Sequence, residues 1–115
     1  MRMPRAKLQI DNREYLGASV SGERFERVHF DANFTGSNFQ DCDLIDCRLD
    51  RVLMRKTHWK NCHFDRTVII ANFTDARFED CSFQQTQFKG RLCEYGGIRA
   101  RFIRCGFQGA SMTAV

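Results

Sequence analysis

The sequence predicts an all-β solenoid whose chain turns a corner every five residues. Large apolar residues recur with a period of five, and a small residue stands two places before most of them. Breakers are also scarce, with one Pro and eight Gly in 115 residues, where a loop-rich sandwich needs many. A period of five fits neither an α-helix at 3.6 nor a plain strand at 2. It fits a chain that runs straight for a few residues and then bends. Within each short extended stretch the large centre and the small residue two before it share one side, facing inward. The other three places face water.

The centres run Val20, Phe25, Phe30, Phe34, Phe39, Leu44, Leu49, Met54, Trp59, Phe64, Ile69, Phe73, Phe78, Phe83 and Phe88. After an irregular stretch they resume at Ile98, Phe102, Phe107 and Met112. Their small partners are Ala32, Ser37, Cys42, Cys47, Val52, Thr57, Cys62, Thr67, Ala71, Ala76, Cys81 and Thr86, and later Ala100, Cys105 and Ala110. Steps of four residues at Phe30 to Phe34, Ile69 to Phe73 and Ile98 to Phe102 predict tightened corners. Residues 89–101 give no single register: Leu92 with Gly90 and Cys93 with Arg91 both qualify as centre pairs. Gly96 and Gly97 point to a bulge or loop there. Glu23 stands where a small inward residue belongs, so the first coil is expected to be imperfect. Residues 18–115 read as the solenoid and residues 1–17 as an N-terminal cap or extension, in which Lys7 to Ile10 could form a strand over the first coil.

Units such as ANFTG and ANFTD, with SNFQD, CDLID, CRLDR, ARFED and CSFQQ, carry a clear likeness. From about residue 18 to 114 the chain resembles the pentapeptide-repeat proteins, whose unit is a small residue, Asp or Asn, Leu or Phe, and two variable residues. That resemblance implies a right-handed quadrilateral parallel β-helix with four units per coil and about five coils here. Four units per turn predict rows beginning at Val20, Phe39, Trp59, Phe78 and Ile98. One inward ladder would then stack Cys42, Cys62, Cys81 and Ala100, and the next Cys47, Thr67, Thr86 and Cys105. Strands ~4.8 Å apart would make a rod about 24 Å long. No coil can bury its own Phe residues, so stacking must build the core.

Six Cys could form a disulfide framework or a metal site. No pair has the C-x-x-C spacing of zinc ligands, and their repeat positions make them compact, reduced core residues. Reduced Cys suits the cytoplasm, the expected location given no secretory signal and no apolar run near ~18 residues. His58, Cys62 and His63 are close in sequence, but the repeat points the two His outward and Cys62 inward; His29 is also outward, on another column. Asp41, Asp43, Asp46, Asp50 and Asp65 fall on solvated places, whereas acid–base catalysis needs carboxylates converging in a cleft. No nucleophile motif or phosphate loop is present. Asn33-Phe34-Thr35 and Asn72-Phe73-Thr74 match a glycosylation acceptor but read as ordinary repeat units. No catalytic, metal or cofactor site is therefore expected.

Two outward groups are candidates for recognition. Ile45, Leu53, Val68, Ile70 and Ile103 are apolar at outward places, which suggests a protein interface. Arg48, Arg51, Arg55, Lys56, Lys60 and Arg66 form a basic group in the middle coils, and Arg99, Arg101 and Arg104 a second near the end. The net charge is +4. The expected function is a non-catalytic protein–protein interaction module of unknown partner. Relatives that protect gyrase imply an alternative, a topoisomerase-interacting DNA mimic, but mimicry requires an acidic rod. Nucleic-acid binding is disfavoured because the aromatics are used in the core. Such repeats also occur within larger effector, toxin or immunity proteins. A solenoid end exposes core and needs a cap; only three residues follow Met112, so a homodimer through the C-terminal coil, or a longer natural chain, is expected.

Overall fold

In the computed structural model of the protein, residues 9–11, 14–89 and 99–113 are described, and their regular elements are fourteen short strands. All strand pairing is parallel, and successive strands lie on successive sides of a four-sided coil. Face one stacks β2 (Ser19–Ser21), β5 (Asn38–Gln40), β8 (His58–Lys60), β11 (Arg77–Glu79) and β13 (Arg101–Ile103). Five strands on this face make four full turns from Val20 to Phe102. Face two stacks β3 (Arg24–Glu26), β6 (Asp43–Ile45) and β9 (His63–Asp65), then continues through bridges from His63 to Ser82 and from Ser82 to Gly106. Face three holds β1 (Gln9–Asp11), β4 (Val28–Phe30), β7 (Arg48–Leu53), β10 (Val68–Asn72), β12 (Gln87–Lys89) and β14 (Ser111–Thr113). β7 and β10 bend round the next edge, and their ends with Asn33 make face four.

The burial pattern reproduces the repeat. Most three-residue strands bury the middle residue and leave its neighbours partly or fully exposed, as in β5, β12 and β6. Phe39, Leu44, Leu49, Met54, Trp59, Phe64, Ile69, Phe73, Phe78, Phe83 and Phe88 are all buried, with Cys42, Cys47, Cys62 and Cys81 beside them. The rings stack within a column: Phe39 on Trp59 at 4.2 Å, Phe78 on Phe102 at 4.9 Å, and Phe64 on Phe83 at 4.9 Å, with interplanar angles of 12°, 4° and 7°. Between columns they meet edge to face, as Trp59 does with Phe64 at 60°. Both geometries suit the ring quadrupole.

Corners explain why the unit has five residues. Two residues after most centres the backbone enters the left-handed region, at φ 57° for Asp41, 53° for Asp46, 56° for Lys56, 52° for Asn61, 49° for Arg66 and 60° for Asp75. Few of these residues are Gly. Asp and Asn tolerate this region best among the others, and the strain is held by an inter-coil bond. The corner N–H donates to a carbonyl of the next coil: Asp46 to Asp65 at 2.8 Å, Arg66 to Gln84 at 2.8 Å, Gln85 to Gln108 at 2.9 Å. The four-residue steps from Phe30 to Phe34 and from Ile69 to Phe73 contain no left-handed residue, so a tightened corner is one that omits it.

Inward hydroxyls and thiols have their own task. Thr67 Oγ1 donates toward the carbonyls of Leu44 and Asp65, and Thr86 Oγ1 toward those of Phe64 and Gln84. Cys62 Sγ does the same toward Phe39 and Lys60, and Cys81 Sγ toward Trp59 and Glu79. A small donor at this place adds a second bond to carbonyls such as those of Lys60, Asp65, Glu79 and Gln84, which also accept a corner N–H. Thr57 Oγ1 donates to Met54 O and accepts the buried Trp59 indole N–H at 3.0 Å.

The last coil corrects the expected rows. Phe102 lies in register with Phe78 on face one, not under Phe83, and Met112 pairs with Phe88. Phe107 takes the place on Phe83, at 5.2 Å and 9°. Ala100 therefore belongs to the ladder of Ser37, Thr57 and Ala76, while Cys105 joins Cys42, Cys62 and Cys81, making a ladder of four cysteines. Equivalent residues are normally 19 or 20 apart, but Asp80 and Arg104 are 24 apart. The added length falls in the stretch whose register the sequence left open. Arg99 occupies the regular left-handed place three residues before Phe102 (φ 56°), as Gly36 does before Phe39. Ile98, Leu92 and Cys93 lie outside the described residues. Phe107, expected in the core, is 44% exposed, because no described coil lies beyond it. Phe102 and Cys105 are only partly buried against the core.

At the other end, β1 pairs with β4, with Asp11 opposite Phe30. Lys7 and Leu8 lie outside the described residues. Tyr15, absent from the series read in the sequence, is buried, stacks on Phe34 at 4.9 Å and 19°, and donates its hydroxyl to Asp11 Oδ2 at 2.7 Å. It is the centre of face four one coil above Phe34. Gly17 follows at the left-handed place (φ 65°), as Gly36 follows Phe34. Glu23, where a small inward residue was wanted, is exposed.

Candidate interaction surfaces

Each unit presents three outward residues, one on either side of the centre and one at the corner. Because successive units occupy successive faces, neighbours in sequence are separated in space. The aliphatic candidates show this. Ile103 lies on face one opposite Glu79, Ile45 on face two opposite Asp65, and Val68 and Ile70 flank Ile69 on face three. Leu53 is round the edge on face four, opposite Asn72. Only Val68 and Ile70 share a face. Leu53 is 43% exposed, and the other four are intermediate.

The middle basic group is a belt and not a patch. Arg48 is on face three and Lys60 on face one. Arg51, Lys56 and Arg66 stand at three different left-handed corners, and Arg55 precedes one of them. Arg48 leans toward Asp50 at 3.5 Å, and Arg66 holds Asp46 through two bonds, Nε–Oδ1 at 2.8 Å and Nη2–Oδ2 at 3.2 Å.

That last geometry recurs. Arg99 grips Asp75 at 2.6 and 3.1 Å, and Arg104 grips Asp80 at 2.6 and 3.1 Å. In each case an Asp at one left-handed corner meets an Arg at the same corner of the next coil. Corners align strictly along the rod, so the fork of Arg finds the carboxylate in its two-bond geometry. The guanidinium hydrogen bonds hold the Asp46, Asp75 and Asp80 carboxyls below the usual carboxylate range. Glu79 is held low by its bond to His58, and Arg77 adds to this. Asn61 Nδ2 bonds Asp41 in the same coil-to-coil way at 2.7 Å.

The residues weighed as a metal cluster turn apart. His58 Nε2 meets Glu79 at 3.0 Å on face one, His63 Nδ1 meets Ser82 Oγ at 2.7 Å on face two, and Cys62 is buried. His29 is on face three, 3.9 Å from Asp50. The Cys62 thiol is pushed well up, first by its hydrogen bond with Cys81 and then by burial. Burial also raises Cys42, Cys47 and Cys105. These thiols are protonated, structural groups. Asn33 and Asn72 are tied locally, each Oδ1 accepting the Thr N–H and hydroxyl two residues on.

Comparison with known proteins gives three findings. The family model described as pentapeptide repeats matches residues 17–55, with eight copies. No curated protein matches. Among solved structures, two trypsin-treated variants of QnrB1, a plasmid-mediated fluoroquinolone resistance protein, are similar at 12% and 14% identity. Their TM-scores are 0.46 and 0.47, covering 90% and 93% of this chain. The chain spans 69% of the first and about half, 53%, of the second. A pentapeptide repeat protein, Rfr23 from the cyanobacterium Cyanothece 51142, is similar at 12% identity and a TM-score of 0.30, covering 88% of this chain and 90% of its own. At these values the structural likenesses carry no argument about activity. The eight matched repeats, the left-handed corners and the four-sided parallel stack agree: the chain carries pentapeptide repeats in residues 17–55 and has the fold of a pentapeptide-repeat β-helix.

Proposed function

We propose that this protein is a non-catalytic module that binds another protein through the side of its rod. The observation that supports this reading is the pair Val68 and Ile70, aliphatic at outward places on face three, with exposed Leu53 round the adjoining edge on the neighbouring coil. Aliphatic side chains grouped at outward places of a solenoid are suited to docking. The parallel stack keeps them in fixed register, so little ordering is needed on binding. Capture of partners from the host lysate, repeated with the double variant Val68→Asp and Ile70→Asp, tests it. Loss of a specific captured protein is the expected result; unchanged capture sinks this site.

A second reading, end-to-end association of two copies, is favoured by the partial exposure of Phe102 and Phe107 in the last coil. Sedimentation at micromolar concentration should then show a dimer that Phe107→Asp dissociates. A duplex-mimicking mode is less well supported. The corner columns mix signs, as in Arg27, Asp46, Arg66 and in Lys56, Asp75, Arg99, whereas a phosphate mimic needs continuous acid. The cytoplasm remains the proposed location.

A further inference from the structure

We propose that Arg77, Arg99 and Arg101 form a docking site for a carboxylate on an acidic segment of a protein partner; this rests on the interaction reading and gives it a second contact with defined chemistry. The site is at the C-terminal end of face one, where these three arginines, with Asp75 and Ala76, line a concavity of about 410 Å³. Arg77 and Arg101 are direct partners in the parallel ladder, so their stems rise from adjacent strands ~4.8 Å apart. Like charges placed opposite one another repel. Arg77 is eased by Glu79 at 2.5 Å, itself held by His58, and Arg99 by its two bonds to Asp75. Arg101 has no ion-pair partner among the described residues.

Depth decides what a visitor meets. The Glu79 and Asp75 side chains are 13% and 31% exposed, while those of Arg77 and Arg99 are 50% and 69% exposed. Asp75 lies within the concavity and Glu79 is recessed beside it under Arg77, while the guanidinium groups are the more exposed partners. Three cations over two anions leave one charge unmatched, which an incoming carboxylate would neutralise with bidentate geometry. A single side-chain or terminal carboxylate fits between Arg77 and Arg101. A nucleic-acid backbone is less suited, because its regular phosphates would also meet Asp80 at the adjoining corner, and no described aromatic ring on this face is offered to a base.

The test uses the full chain and a fluorescently labelled hexaglutamate peptide, read by anisotropy at low salt. Binding is expected, with Arg101→Glu weakening it at least tenfold and Arg24→Ala, on face two and paired with Glu26, leaving it unchanged. Circular dichroism on each variant separates loss of binding from loss of fold, and Arg101→Lys should restore part of the affinity. No binding at millimolar peptide, equal loss from Arg24→Ala, or tighter binding of a single-stranded oligonucleotide of equal charge would overturn the proposal. Lysate capture through Val68 and Ile70 would survive that failure, so the two readings fall separately.

Discussion

The middle coils and the last coil use the same residues at the same places, yet only the middle ones are sealed. Phe83 is fully buried and Phe107, stacked directly on it, is 44% exposed. Cys81 is buried and Cys105, next in its ladder, is half-buried. The inward position does not bury a side chain by itself; a coil on each side does. In a stack of this kind stability is a sum of nearest-neighbour terms, so the same substitution should cost different amounts along one column.

The largest contrast should come from ring removal. Phe64→Ala opens a cavity between Leu44 and Phe83 and should cost about 3–5 kcal/mol. Phe107→Ala should cost less than half of that, since the site is already open to water. Urea unfolding of both variants measures the difference, and equal losses would mean that the last coil is covered in solution. Next comes the inward hydroxyl. Thr67→Val removes the acceptor of the Cys47 N–H, at 3.3 Å, and the hydroxyl donor to the carbonyls of Leu44 and Asp65, of which Asp65 keeps its bond from Asp46 N–H, and should cost about 1–3 kcal/mol. Cys105→Ala, whose sulfur faces the carbonyls of Phe78 and Ile103 beside solvent, should cost about 1 kcal/mol or less.

Chemical access sharpens the same comparison without a change in stability. Alkylation at neutral pH followed by peptide mapping should modify Cys105 before Cys42, Cys47, Cys62 and Cys81. The smallest effect is acid sensitivity. Asp46, Asp75, Glu79 and Asp80 have folded pKa values lowered by their partners. Their contribution is present above the unfolded carboxylate value, near 4, and is lost as pH falls through the lower folded value. Melting temperature should therefore drop on going from pH 6 to pH 3, and Asp80→Asn should make that drop slightly shallower. All of these groups are near the surface, so high salt should blunt the effect.

Much of this architecture was legible in the sequence because it rests on a two-place rule repeated many times. Every centre from Phe25 to Phe88 is buried, and the four-residue steps at Phe34 and Phe73 are tightened corners. The last row slipped by one face because the irregular stretch after Lys89 carries extra length, so Phe102 could not be assigned a column by counting. Tyr15 was missed because no small residue precedes it by two places. The signal was nevertheless there: Tyr15-Leu16-Gly17-Ala18 repeats Phe34-Thr35-Gly36-Ser37, with Gly at the left-handed place in both. Surfaces were harder to read. Arg48 to Arg66 looks like one cluster along the chain, but a unit that turns a corner every five residues carries its charges round the rod. The Arg77–Arg101 pair is invisible in sequence, since its members are brought together only by the lengthened turn.

The corners also say how such a chain can change its length during descent. A residue gained or lost within a face would turn every later side chain of that strand from core to solvent. At a corner the same event adds or removes one left-handed residue and leaves the faces on either side in phase, as the steps into Phe34 and Phe73 show. The turn that carries Asp80 to Arg104 has absorbed several more residues and still returns Phe102 onto Phe78. Natural variation in this fold should therefore be punctuated: rigid in its straight segments, and forgiving of frame slips wherever the path bends.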